Sequence, residues 1–389
     1  MSAPAPSAES PLGVYIHWPY CARICPYCDF NVVREHGQRI EQTALARAIL
    51  ADLREHRLVT GPRRLVSIFF GGGTPSLMAP ELVAELIAAA RTLWTADEAL
   101  EITLEANPTD AESQRFSTLA AAGVNRLSLG VQSLDDQALA FLGRDHSAAE
   151  GVRAIQIGRA IFPRLSIDLI YARPGQTVWA WAAELEAAAS LGADHVSPYQ
   201  LTIEDGTAFA RAIARGDWAP PDPDEGARFY QTTQDVLGPM GFEAYEVSNH
   251  AIAPAARCRH NLIYWRGEDY AGVGPGAHGR LTLEGTRTAL KAFSKVRDYV
   301  RRVEETGLGW EVRDPLSARQ AAEERLLMGL RTSEGVSLGE LAPLGLGADH
   351  PKLAELADAG FVSIADGRLC ATAQGRLVLD RLTAELALA

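Results

Sequence analysis

An α/β fold, a partial or complete barrel of parallel strands followed by a small winged-helix-like α+β domain, is what this sequence predicts. Apolar β-branched segments alternate with Ala/Leu-rich helical segments over roughly the first 250 residues, the mark of repeated strand-helix units around a parallel sheet. Beyond Ser317 the pattern changes to two short helices, a hairpin and a last helix. Strands are expected near 13–17, 65–70, 100–105, 125–130, 165–171 and 194–199. Helices are expected at Gln38–His56, Pro80–Leu93, Ala111–Ala122, Ala148–Ile161 and Thr177–Leu191. Six such units suffice for the barrel. The Pro-rich stretch GDWAPPDPDEG then breaks the pattern, and a helix, the strand-like FEAYEV and a loop rich in Gly, His and aromatics predict an extension packed beside the sheet. In the last segment AAEERLLMGL and HPKLAELADAG read as helices, and the Ala-Asp-Gly of FVSIADGRLC as a hairpin turn. The division is therefore a disordered tail at 1–12, a barrel at 13–215, an extension at 216–316 and the terminal domain at 317–389.

Composition narrows the function classes. A hydrophobic content of 47% over 389 residues supplies a large core for two or three units. The opening MSAPAPSAESPLG has no basic residue ahead of an apolar stretch, so it predicts no secretory signal. No apolar run reaches the ~18 to 20 residues of a spanning helix. A cytoplasmic protein is expected, with any membrane contact peripheral or through a partner. The net charge of −12 repels phosphate backbones, and acidic residues outnumber basic ones in the terminal domain, so no nucleic-acid partner is predicted.

The chemistry is concentrated in YIHWPYCARICPYCDF, where Cys21, Cys25 and Cys28 account for three of the five cysteines in the chain. An odd number of cysteines in a large chain without a signal suggests metal ligation and not a disulfide framework. A structural zinc site wants four closed ligands, so here it would need Cys258 or a histidine to complete it. Three thiolates on one loop after a strand suit an Fe-S cube with one open iron, which chelates a small molecule through an amine and a carboxylate. Other polar residues stand at the ends of successive strands, where barrel sites assemble. After the second strand comes GGGTPS, whose glycines let backbone approach a ligand closely. LEANP places Glu105 after the third strand, RLSLGVQS and LGRDH place Gln132 and Arg144 after the fourth, and SIDLIY places Asp168 on the fifth among apolar neighbours, where an unpaired carboxylate is costly. CRHNLIYW brings His260 together with Asn261, Tyr264 and Trp265. A neutral imidazole is able to ligate heme iron and aromatic rings to cover a porphyrin face, while the plainer reading is a hydrogen-bonded histidine in a loop. Cys258 and His278 in GPGAHGR are further candidate ligands.

Taken in order, the cysteine loop, FFGGGTPSL, EANP, NRLSLGVQS, LGRDH, DLIY, PGQT, YEVSNHA and CRHNLIYW resemble the radical S-adenosylmethionine proteins of the group containing oxygen-independent coproporphyrinogen dehydrogenase and the heme chaperones of the HemW type. That resemblance implies a partial (β/α)6 barrel with Cys21, Cys25 and Cys28 on a 4Fe-4S cluster. It implies S-adenosylmethionine contacts from Tyr15, Gly72, Gly73, Thr74, Glu105, Gln132, Arg144 and Asp168, and a heme motif at His260, Asn261, Tyr264 and Trp265. Two features favour the chaperone branch. Phe30 stands where the dehydrogenase branch carries an additional cysteine, and HNxxYW is present. The resemblance then implies binding of heme and its transfer to acceptor hemoproteins, including membrane respiratory enzymes. A reductant for the cluster and a homodimer also follow from the family, although no oligomerisation signal stands in the sequence. The alternative function is oxidative decarboxylation of coproporphyrinogen III in porphyrin biosynthesis. Departures from the group are Ala172 and Arg173, where relatives commonly have Gly-Leu, and Trp18 and Tyr20 in place of Ile and Phe.

Overall fold

The computed structural model describes residues 6–35, 37 and 39–388. Six strands, β1 (Pro11–Trp18), β2 (Arg64–Gly72), β3 (Thr95–Ala106), β4 (Arg126–Gln132), β5 (Arg164–Tyr171) and β6 (His195–Gln200), pair in parallel in chain order. Helices α1 (Arg39–Thr60), α2 (Pro80–Leu93), α3 (Ala148–Ile161) and α4 (Val178–Ala189) form crossovers between them. Strict sequential pairing through helical crossovers is barrel winding. Both faces of these strands are covered, which is why they read as near-continuous apolar runs; Val14, Ile16, Ile68, Phe70, Leu104, Leu127, Leu129, Ile167 and Leu169 are fully buried.

Most expected elements are present, with differences that have local causes. Gln38, the expected start of the first helix, lies outside the described residues, and α1 runs on to Thr60. The helix expected at 111–122 is split into Asp110–Ser113 and Phe116–Ala121. Ser113 Oγ donates back to the Thr109 carbonyl at 2.9 Å, a short-range bond that competes with helix continuation. Thr177, expected inside a helix, caps α4 by accepting from the Ala180 amide. Of the tail expected at 1–12, residues 1–5 lie outside the described residues; Ser7 to Ser10 form a turn and β1 starts at Pro11.

The extension does not pack beside the sheet; it continues it at both edges. After α5 (Pro223–Leu237), β7 (Glu243–Glu246) and β8 (Asn249–Ala251) form a hairpin, and β8 pairs antiparallel with β6. The next strand, β9 (Asp269–Val273), pairs parallel with β1, and β10 (His278–Leu283), β11 (Thr286–Ala292) and β12 (Trp310–Pro315) add an antiparallel meander. The result is a 12-stranded sheet in the order β12-β11-β10-β9-β1-β2-β3-β4-β5-β6-β8-β7. An open barrel leaves unpaired backbone groups along β1 and β6, and these strands satisfy them. The segment read as the HNxxYW loop is a helix, α6 (Arg259–Arg266), ended by Gly267 in the left-handed conformation at φ 67°. A further helix, α7 (Val296–Thr306), covers α1.

The terminal region folds around its own apolar core, with Leu326, Leu330, Leu341, Leu353, Leu369 and Leu386 at its centre. It holds α8 (Ala318–Leu330), β13 (Val336–Ser337), α9 (Pro351–Asp358), the hairpin β14 (Val362–Ala365) and β15 (Arg368–Ala371), and α10 (Leu379–Ala387). Asp366 and Gly367 turn that hairpin with φ 51° and 72°, the left-handed pair that the Asp-Gly sequence favours. Helix α8 packs against α6 and so seats this region on the barrel.

Candidate functional site

A cavity of about 1250 Å³ opens at the carboxyl ends of the parallel strands. It exceeds the ~300–1,000 Å³ of ordinary small-molecule pockets, so it has room for more than one ligand. Cys21, Cys25 and Cys28 line it, on the loop that leaves β1. A backbone bond from the Cys28 amide to the Cys25 carbonyl at 3.1 Å curls this loop. Burial pushes the Cys21 thiol up to about 11 and raises Cys28 as well. A cation stands ready to offset a thiolate: Arg144 donates to Cys25 Sγ at 3.2 Å and to the Gly130 carbonyl at 3.0 Å. Among the described residues no three His, Cys, Asp or Glu groups converge as a single-ion site, and Cys258 is buried elsewhere, against Glu101. Cys258, one candidate for completing a zinc site, therefore does not reach this loop.

Tyr15, Gly72, Gly73, Thr74, Glu105, Gln132, Arg144 and Asp168 all line the same cavity. Gly72 and Gly73 are dictated by space. Gly72 has φ 106°, and a Cβ there would lie 2.5 Å from the His17 ring, while one on Gly73 would lie 2.7 Å from the Pro19 backbone. Gln132 holds φ 67° at the end of β4, a strained placement that turns its side chain off the strand line. Glu105 accepts from the Gly72 amide at 3.3 Å, and burial with the Asp168 carboxylate beside it pushes its pKa up to about 8. Burial also raises Asp168, which accepts from Ser128 Oγ at 2.9 Å and Ser166 Oγ at 3.1 Å. Two half-buried carboxyls facing a cavity suit a cationic or hydroxylated ligand.

The same cavity is also lined by Phe69, His260, Asn261, Tyr264, Tyr270, His278 and Lys291, with Tyr15 stacked on Phe69. The structure divides the HNxxYW motif. His260 and Tyr264, four residues apart on α6, face the sheet, and Tyr264 packs edge-on to Tyr270 at 4.4 Å. Trp265, expected with the heme motif, points away: its ring lies under the Arg331 guanidinium at 4.9 Å and its carbonyl accepts from Arg325 of α8. It seats the terminal region and does not reach the cavity, because helical spacing turns the residue after Tyr264 by about 100°. His260 is tied at both ring nitrogens, Nδ1 to Ser67 Oγ at 2.8 Å and Nε2 to the Tyr264 hydroxyl at 2.6 Å, and stacks on Phe69. Burial lowers its pKa to about 3, so the imidazole is neutral, donating through one nitrogen and accepting through the other.

Sequence reading missed Glu101, which anchors α6. Fully buried on β3, it accepts from the Arg259 and His260 amides at 3.0 and 3.1 Å, the unpaired donors at the start of that helix, and from Arg164 at 2.6 Å. Nothing local to the sequence marks it, since helix and anchor lie more than 150 residues apart. Asn31 was missed too. Its amide donates to the Pro275 and Ser294 carbonyls, both at 2.8 Å, and its carbonyl binds His17 Nε2, tying the cysteine loop to the loop before β10. At Ala172 the chain adopts φ 60°, a conformation glycine takes freely, and the neighbouring Arg173 is absorbed by a buried ion pair with Glu184.

The model of the radical SAM superfamily matches residues 15–188, and that of the HemN C-terminal domain matches residues 316–378. The chain is 36% identical to the heme chaperone HemW of Mycobacterium tuberculosis over 389 residues, 98% of this chain and 96% of that one. This chain belongs to the HemW family of radical S-adenosylmethionine proteins. It is also 33% identical to HemW of Bacillus subtilis, over 94% of this chain and 96% of that one, and 38% identical to the mitochondrial radical S-adenosyl methionine domain-containing protein 1 of Bos taurus, over 99% and 89%. Among solved structures, coproporphyrinogen III oxidase HemN from Escherichia coli superposes with a TM-score of 0.80 over 98% of this chain and 91% of that one. At 22% identity that likeness establishes the shared fold. Radical SAM membership brings a 4Fe-4S cluster and S-adenosylmethionine as cofactors. The residues at the HemW-family site fit both. Each of the three thiols is free to take a different iron of a cube, so no convergence on one point is needed, and Arg144 offsets the negative charge. Gly72 and Gly73 line the cavity beside the Glu105 carboxyl. No helix among the described residues is long and apolar enough to cross a membrane.

Proposed function

We propose that this protein is a heme chaperone: it binds heme in the cavity beside its 4Fe-4S cluster and hands it to acceptor hemoproteins, membrane respiratory enzymes among them. The observation that carries the reading is a single large cavity lined both by the three cysteines and the S-adenosylmethionine candidates and by aromatic rings, imidazoles and a lysine. The relatives named heme chaperones align along almost the whole chain and support it. In this reading Cys21, Cys25 and Cys28 hold the cluster, with Tyr15, Gly72, Gly73, Thr74, Glu105, Gln132, Arg144 and Asp168 around S-adenosylmethionine. When bound, the pair supplies reductive cleavage to a carbon radical. The chain's own part would be to supply three thiolates and so leave one iron of the cluster without a protein ligand, and to hold the bound molecule beside the Glu105 and Asp168 carboxyls. Asn261 and Tyr264 of α6, with Tyr270, cover a porphyrin face. The protein acts in the cytoplasm, docking peripherally where an acceptor is membrane-bound, with a reductant serving the cluster; a homodimer is compatible with this account.

Phe30 weighs against the dehydrogenase alternative. It stands 61% exposed on the cluster loop, where it offers neither a ligand nor a proton. The test is anaerobic reconstitution followed by parallel assays. Saturable heme binding with no conversion of coproporphyrinogen under reductant supports the chaperone; production of protoporphyrinogen without heme binding overturns it.

A further inference from the structure

Of the described histidines, three line the cavity: His17, His260 and His278. Two have both ring nitrogens engaged. His17 is held by the Tyr15 hydroxyl at 3.0 Å and the Asn31 carbonyl at 2.8 Å. His260 is held by Ser67 and Tyr264. To reach iron, either ring would have to break a short buried hydrogen bond, stranding its partner, and turn against packed aromatic neighbours. His278 differs. It opens β10 at the mouth of the cavity, exposed, and its ring makes no hydrogen bond with any described residue.

Its surroundings suit a porphyrin. In the β10-β11 ladder His278 is directly opposite Lys291, so both side chains stand on one face, within about 5.5 Å at Cβ. Tyr270, on the adjoining strand, shares the cavity with them and packs edge-on to Tyr264. The face thus presents an imidazole for iron, an ammonium for a carboxylate and two aromatic rings for a flat apolar ring system. The backbone is fitted to keep the imidazole there. Gly272 of β9 lies so close to His278 that a Cβ would sit 2.0 Å from its carbonyl oxygen. The preceding turn carries φ 101° at Gly274 and 79° at Gly276, and is fastened to the cysteine loop by Asn31.

We infer that His278, and not His260, ligates the heme iron, with Lys291 paired to a propionate. The inference rests on the heme-chaperone reading and gives it an axial ligand. His260 then acts as a positioning residue that fixes Tyr264 and α6 against β2.

The experiment is a hemin titration of the cluster-loaded full chain, the native protein beside His278→Ala, His260→Ala and Lys291→Met, read by Soret position and by electron paramagnetic resonance of the ferric complex. Iron content and far-UV circular dichroism establish that each variant is folded and loaded. For His278→Ala a loss of affinity of tenfold or more is expected, with a displaced Soret band that added imidazole returns toward the native position. Lys291→Met should weaken binding severalfold without moving the band. His260→Ala should keep the native band and ferric signature, whatever it loses in stability. If His278→Ala keeps native affinity and spectrum, or if folded His260→Ala alone loses the ligation signature, the assignment is wrong. If the native chain shows no saturable Soret change, the heme reading itself fails and takes the assignment with it.

Discussion

Glu101 offers the most direct handle on how the site is held. Replacing it by Gln keeps the shape and one acceptor oxygen but removes the charge that faces Arg164 at 2.6 Å and the two amides that open α6. Breaking a buried pair by neutralising one partner costs ~3–5 kcal/mol, and loss of a helix cap ~1 kcal/mol. Arg164 is 19% exposed and keeps part of its hydration, and the Gln oxygen retains one amide, so the expected cost is about 3 kcal/mol at pH 7. The pH dependence follows from the direction of the shift. Burial alone would raise the Glu101 pKa, but the Arg126 and Arg164 guanidiniums and the two amides outweigh it and hold the carboxyl below its ordinary 4.5. Such a group gives stability that is fully present above 4.5 and lost as pH falls through the lower folded value. The gap between native and Glu101→Gln should therefore be widest at neutral pH and close in acid. Urea unfolding followed by tryptophan emission between pH 3.5 and 7 measures it. A gap below about 1 kcal/mol at pH 7, or one that does not change with pH, refutes the reasoning.

Other expectations are as specific. Cys28→Ser should fold with native circular dichroism yet retain well under half of the native iron after reconstitution, as measured by iron analysis and visible absorbance. Gly72→Ala forces a side chain into φ 106° against His17 and should cost about 3 kcal/mol, seen as a lowered melting temperature. Trp265→Ala should destabilise by about 2 kcal/mol through the lost contact with the terminal region while leaving heme stoichiometry unchanged, by calorimetry and Soret titration. Arg173→Met strands the buried Glu184 and should cost about 3 kcal/mol, more than half of it recovered in the double variant with Glu184→Gln, a coupling that urea melts of the four proteins resolve.

The parallel strands were legible because each is an unbroken apolar run between turn residues, and the cysteine loop because its spacing is local. Placement of the S-adenosylmethionine candidates was also legible, since strand ends of a parallel barrel converge by topology. What could not be read depends on contacts between distant segments. The pairing of β9 with β1 joins residues some 250 positions apart, so the extension looked like an accessory to the sheet when it is part of it. CRHNLIYW looked like a loop because the carboxylate that starts its helix is Glu101. Trp265 looked like a porphyrin contact because a motif is written in a line, whereas a helix sends neighbouring side chains to different faces. His278 carried no more signal than His260 until the hydrogen bonds showed which ring was committed.

Heme capture next to a loaded cluster is the central claim, and one titration tests it. The anaerobically reconstituted chain is titrated with hemin while the Soret band is followed, with free hemin in buffer and a cluster-free chain alongside. The account predicts a saturable band displaced from that of free hemin, with a defined end point. A linear, non-saturating increase that matches free hemin would contradict it.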